Sequence, residues 1–135
     1  MIISWDTETT GLPTTDAYPN VNNLSKFSAC HVVQLSAVKF DDDGRELDAF
    51  NVIIRPDTYS SMPEAAEKVH GVSFEKARED GIPFGRAFRA FKAFCGNTTL
   101  LIAYNSQYDE RMVLTELLRR GAHASHAKWF RAHKF

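Results

Sequence analysis

Asp6 and Glu8 stand two residues apart where the first apolar run of the chain, Ile2 to Trp5, comes to an end. Side chains alternate along a strand, so both carboxylates can project from one face. Two anions side by side repel, and the pair is comfortable only if water screens it, if one member keeps a proton, or if a cation neutralises it. Divalent magnesium or manganese, which prefer hard oxygen ligands, suits such a pair. Surface loops also produce Asp-x-Glu with no such purpose. Here, however, an apolar strand delivers the pair into Thr9, Thr10, Gly11 and Leu12, where hydroxyls, free backbone amides and a flexible glycine can approach a nucleotide closely. Asp109 adds a third carboxylate in the first turn of a predicted helix, where the helix N-terminus alone would also favour an anion.

The elements that must position these groups follow from periodicity. Ile2 to Trp5 reads as a short buried strand, ended by the Thr-rich run and Gly11-Leu12-Pro13. Polar, turn-rich sequence fills Thr14 to Ser28. His31 to Phe40 and Arg45 to Arg55 form a predicted antiparallel hairpin about Asp41-Asp42-Asp43-Gly44. Three acids there could suggest a metal site; a turn is the simpler reading. Pro63 to Val69 suits a short helix with Gly71 near its end. Phe84, Ala87, Phe88, Phe91, Phe94 and Cys95 fall at helical spacing and mark a core-facing stripe. Leu100 to Tyr104 is a buried-strand run, and Asn105-Ser106 can cap a helix that extends to about Arg120 and closes at Gly121. The order implies an α/β layer structure. Asp6 and the start of the helix bearing Asp109 then lie at strand ends, where open α/β sheets bind ligands.

Composition narrows less. With 135 residues, 44% of them hydrophobic, the chain can bury one core but not two. A net charge of -1 announces no polyanion-binding field, but the signs are uneven, because Glu116 is the last acidic residue. Beyond it come Arg119, Arg120, Lys128, Arg131 and Lys134 with three histidines, either a solvated end or a segment that touches phosphates. Cys30 and Cys95 have no zinc or disulfide-framework spacing. The N-terminus has neither a basic leader nor a long apolar stretch, so a cytoplasmic protein without membrane contact is expected.

The motifs resemble a known family. Ile3 to Leu12 resembles the first motif of the proofreading epsilon-subunit-like (DnaQ-like) DEDD exonucleases, a hydrophobic residue followed by D-x-E-T-T-G-L. Val33 to Val38 looks like that family's second strand, and Val69-His70-Gly71-Val72-Ser73 resembles its V-H-G-I segment beside the nucleotide site. Ala103 to Asp109 is similar to the second motif, which ends N-x-x-F/Y-D. The resemblance covers roughly Met1 to Gly121. It implies an α/β, RNase H-like mixed sheet flanked by helices and a 3′-to-5′ exonuclease that uses two metal ions, magnesium or manganese. In that mechanism Asp6 bridges both ions, Glu8 binds the one that activates water, and Asp109 holds the other, directly or through water. Two ions about 3.5–4 Å apart stabilise the attacking and leaving oxygens of an in-line displacement. The resemblance gives Thr9, His70 and Asn105 to the nucleotide, with Leu12 on the terminal base; for His70 a capped loop histidine is the alternative. The implied partners are a single-stranded DNA 3′ end and a DNA polymerase, with RNA left open because no residue here discriminates 2′-hydroxyl readout.

The family's third motif, H-x-x-x-x-D, supplies a general base and a fourth metal ligand. This sequence has no aspartate after Asp109, and none of His123, His126 and His133 has an acid five positions later. The expectation is therefore an exonuclease domain over residues 1–121, incomplete at its C-terminus, and a basic, disordered tail over 122–135, with a premature stop or frameshift near Phe130 as the explanation. Losing a general base commonly costs about 10²–10⁴-fold in rate, so impaired activity is expected. A non-catalytic module that grips a single strand or a polymerase is the alternative.

Overall fold

Ile3, Trp5 and Thr7 are buried while Asp6 between them is exposed, the alternation of a strand that lays one face on a core. In the computed structural model, which describes residues 1–98 and 100–132, this strand is β1 (Ile2–Thr9). It outlasts the run read from sequence because Asp6, Thr7 and Glu8 pair with Ser36, Leu35 and Gln34 of β2 (Val32–Phe40). β2 pairs with β3 (Glu46–Ile53), also antiparallel, and β1 pairs in parallel with the two-residue β4 (Leu101–Ile102). The sheet order is β3-β2-β1-β4. The Asp41–Gly44 corner is a turn: the Asp41 carboxylate accepts the backbone N–H groups of Asp43 and Arg45, both at 2.9 Å.

Helices α1 (Glu64–His70), α2 (Phe74–Asp80), α3 (Phe84–Cys95), α4 (Ser106–Arg119) and α5 (His123–Ala132) complete the described chain. α1 ends at Gly71, whose φ of 75° is the left-handed conformation that glycine adopts without strain. α2 is not apparent from periodicity, since Ala77 is its one buried residue; it is set by Ser73, whose hydroxyl accepts the N–H of Lys76. The α3 stripe is buried as expected except for Phe94, which is half-buried. Trp5 of β1 meets Phe91 at 5.9 Å and Phe130 edge-on at 5.4 Å, so the core joins sheet, α3 and α5. Each such ring contributes about 1.5–3 kcal/mol through burial.

α5 replaces the expected disordered tail over residues 123–132. Ala127 and Phe130, one helical turn apart, are 1% and 2% exposed, and Trp129 packs on Phe88 and Phe91. Residues 133–135, with His133 and Lys134, lie outside the described residues. Arg119 and Arg120 are likewise turned inward rather than toward a polyanion. Arg119 donates to Glu116 at 2.6 Å and to the carbonyls of Cys30 and Phe27, while Arg120 pairs with Asp57. Glu116 itself is 1% exposed and accepts the N–H of Val32 in β2, so this buried anion ties α4 to the sheet. Among the described residues no helix is long and apolar enough to cross a membrane.

Candidate active site

Among the described residues β4 meets β1 at Ile3 and Ser4 alone, which leaves the later edge of β1 without a neighbouring strand. Ile3 donates its N–H toward β4, to Leu100, and the N–H of Thr7 points to the same side. Asp109 fills the gap. Its Oδ1 accepts the Thr7 N–H at 3.1 Å and the Thr7 hydroxyl at 2.6 Å, and the residue is 2% exposed. A buried strand amide thus receives its partner from the first turn of α4. Asn105 holds the N-cap position of that helix but makes no side-chain cap bond, contrary to the role read from sequence; its carbonyl accepts the N–H of Asp109.

Asp6 and Glu8 lie on the opposite side of β1 from Thr7, Asp6 exposed and Glu8 half-buried. Partial desolvation raises the pKa of all three acids, the solvent-facing Asp6 included. For Asp6 a backbone bond from Thr7 opposes the rise; for Glu8 the charge of Asp6 adds to it. Asp109 is pushed from 3.8 to about 6: burial outweighs its two Thr7 hydrogen bonds, and the charges of Asp6 and Glu8 add. The three carboxylates therefore repel one another, and hard anionic oxygens of this kind suit a divalent cation. Asp6 and Glu8 present both carboxylates, and Asp109 has one oxygen committed to Thr7. Among the described residues no three acidic, imidazole or thiol side chains converge on a ready metal position.

Beside the pair opens a cleft of about 530 Å³. Its walls include Glu8 and Thr9 of β1, Leu12, His70 of α1, and Asn105 and Tyr108 at the start of α4. All four residues that the resemblance gives to the nucleotide, Thr9, Leu12, His70 and Asn105, meet there. Glu8 lines it too; Asp6 and Asp109 do not. Among the described residues no lysine or arginine lines it. His70 accepts the Val72 N–H at its Nδ1, 3.0 Å, which places the ring proton on Nε2. That Nε2 is buried without a partner among the described residues, and burial lowers the His70 pKa, so the neutral ring offers one unused donor.

Tyr108 was not singled out by sequence reasoning, although it occupies the aromatic place of the second motif. Its hydroxyl lies 2.5 Å from the Thr9 hydroxyl and donates to the Gly11 carbonyl at 3.3 Å, pinning the Thr9–Leu12 segment to α4. Gly11 serves packing rather than flexibility: a Cβ there would sit 2.8 Å from the Ala29 carbonyl oxygen.

The mixed sheet with its helices defines an RNase H-like exonuclease fold. The exonuclease family RNase_T matches residues 3–130, and the chain belongs to that family, within the DEDD superfamily of nucleases. Solved structures of Escherichia coli Exonuclease I share the fold. Its complex with a 5cy-dA13 oligonucleotide has a TM-score of 0.73 and 16% identity, covering 99% of this chain and 27% of that one. The dT13 complex has a TM-score of 0.72, 16% identity and coverage of 98% and 26%. The zinc-bound form of its single-stranded DNA complex has the same values. This chain spans about a quarter of the length of those relatives. No curated protein matches.

Proposed function

We propose that this chain carries a 3′-to-5′ exonuclease domain that releases nucleotides one at a time from an unpaired 3′ end by two-metal phosphodiester hydrolysis. The observation that carries this reading is a nucleotide-sized cleft lined by Glu8, with Asp6 on the same strand and Asp109 fastened to that strand through Thr7. Asp6 and Glu8 would hold magnesium or manganese from β1, and Asp109 through the oxygen that Thr7 leaves open. Bound there, the ions would neutralise the phosphate and activate water, which suits a cleft lined by no lysine or arginine among the described residues. His70 Nε2–H is a donor for a sugar or phosphate oxygen, and the side chain of Leu12, 72% exposed, offers an apolar surface to a base. The oligonucleotides bound to Exonuclease I support single-stranded DNA as the ligand class.

The third motif, H-x-x-x-x-D, does not occur within these 135 residues, and turnover by this stretch alone should be slower by about 10²–10⁴-fold for want of the motif's general base. A second reading, a module that holds a strand without cutting it, is favoured by the lack of three converging ligands among the described residues. Magnesium-dependent shortening of a 5′-labelled single strand, in one-nucleotide steps and abolished by Asp6→Ala, is the expected result. Binding without shortening, in either magnesium or manganese, would favour the second reading.

A further inference from the structure

Three of the four tyrosines are engaged. Tyr18 donates to Glu110, Tyr59 lies against His31 and Phe74, and Tyr108 bridges Thr9 and Gly11. Tyr104 has a relative exposure of 107%, the largest among the exposed large hydrophobic side chains. An aromatic ring held out of every packing contact leaves its apolar faces in water, which folding alone does nothing to favour.

Its place gives it a use. Tyr104 directly precedes Asn105, which lines the cleft, and consecutive Cα atoms are about 3.8 Å apart. The ring is therefore rooted within one residue of the cleft wall. Leu12 and Val69, 72% and 81% exposed, line the cleft, so two further exposed apolar side chains stand at the opening beside which Tyr104 is rooted. With no lysine or arginine among the described lining residues, apolar and hydrogen-bonding contact with bases and sugars takes the place of side-chain cations on phosphates.

We propose that Tyr104 is a stacking platform for the second base from the end, the neighbour of the one held in the cleft. The proposal rests on reading the cleft as a 3′-end site and adds a second, sequence-independent point of grip. Base–aromatic stacking tolerates any base because each has a π-face.

The test is equilibrium binding of fluorescent oligo(dA) whose 3′-terminal linkages are phosphorothioates, so that the strand stays intact, to the full chain in magnesium. Tyr104→Ala should weaken binding by about 5- to 100-fold, the worth of one stacked base, and Tyr104→Phe should leave it unchanged. An abasic residue at the second position should weaken wild-type binding by a similar factor and leave Tyr104→Ala unaffected. Equal binding by wild type and Tyr104→Ala, or equal losses on the abasic strand, overturns the platform while leaving the 3′-end reading intact. Failure of folded wild-type protein, checked by circular dichroism, to bind the ordinary strand overturns both.

Discussion

Replacing Asp109 by asparagine should make the protein more stable at neutral pH. The buried Asp109 carboxyl has its pKa raised from 3.8 to about 6. Between those values the folded state holds a proton that the unfolded chain has lost, so wild-type stability falls as pH rises through this window. At about 1.4 kcal/mol per pH unit, the span amounts to about 3 kcal/mol, lost in full above pH 6. Asparagine keeps the neutral form at every pH and retains an oxygen for the Thr7 N–H and hydroxyl. In urea, with a slope of about 1–3 kcal/mol/M, the unfolding midpoints of variant and wild type should nearly coincide at pH 4 and separate by about 1–3 M at pH 8. Magnesium at pH 8 should raise the wild-type midpoint and narrow the gap. The same separation at both pH values, or a variant weaker than wild type at pH 8, would refute the reasoning, because burial of the charge would then not be what perturbs Asp109.

Two further predictions concern packing and positioning. Phe130→Ala removes a ring that is 2% exposed and lies against Trp5 and Phe88, and should cost about 3–5 kcal/mol in urea unfolding; a loss below about 1 kcal/mol would mean that α5 does not dock as described. Tyr108→Phe keeps the ring but frees Thr9 and Gly11, so it should raise KM for a single strand several-fold with little change in kcat, whereas an unchanged KM would remove Tyr108 from the positioning of the cleft.

The fold was largely legible because its strongest signals are local. The α3 stripe and the Asp41–Gly44 turn each combine periodicity with a terminating residue, and the hairpin follows from them. The length of β1 was not legible, since polar Asp6 to Thr9 are strand only because β2 lies alongside. α5 was hidden for a similar reason: the apolar residues it packs inward, Ala127, Trp129 and Phe130, are few and sit among cations, and only the waiting surfaces of Trp5, Phe88 and Phe91 make them a core face. At the site, motif spacing pointed to the residues, and the structure gathers Glu8, Thr9, Leu12, His70 and Asn105 about one cleft. What spacing could not reveal is the environment: that Asp109 is buried on Thr7, that Tyr108 fastens the Thr9–Leu12 segment, and that Gly11 answers to Ala29.

Glu116 lies seven residues after Asp109, two helical turns along the same face of α4, or about 10 Å. One carboxylate is fastened to β1 and the other to β2, so the helix is bolted to the sheet at two points and cannot slide by a turn without breaking both. The placement of Asp109 is thereby inherited from a residue with no part in the chemistry. Substitutions at Glu116, or at the Arg119 that shares its charge, should behave in a mutational survey as active-site lesions although they touch nothing in the cleft.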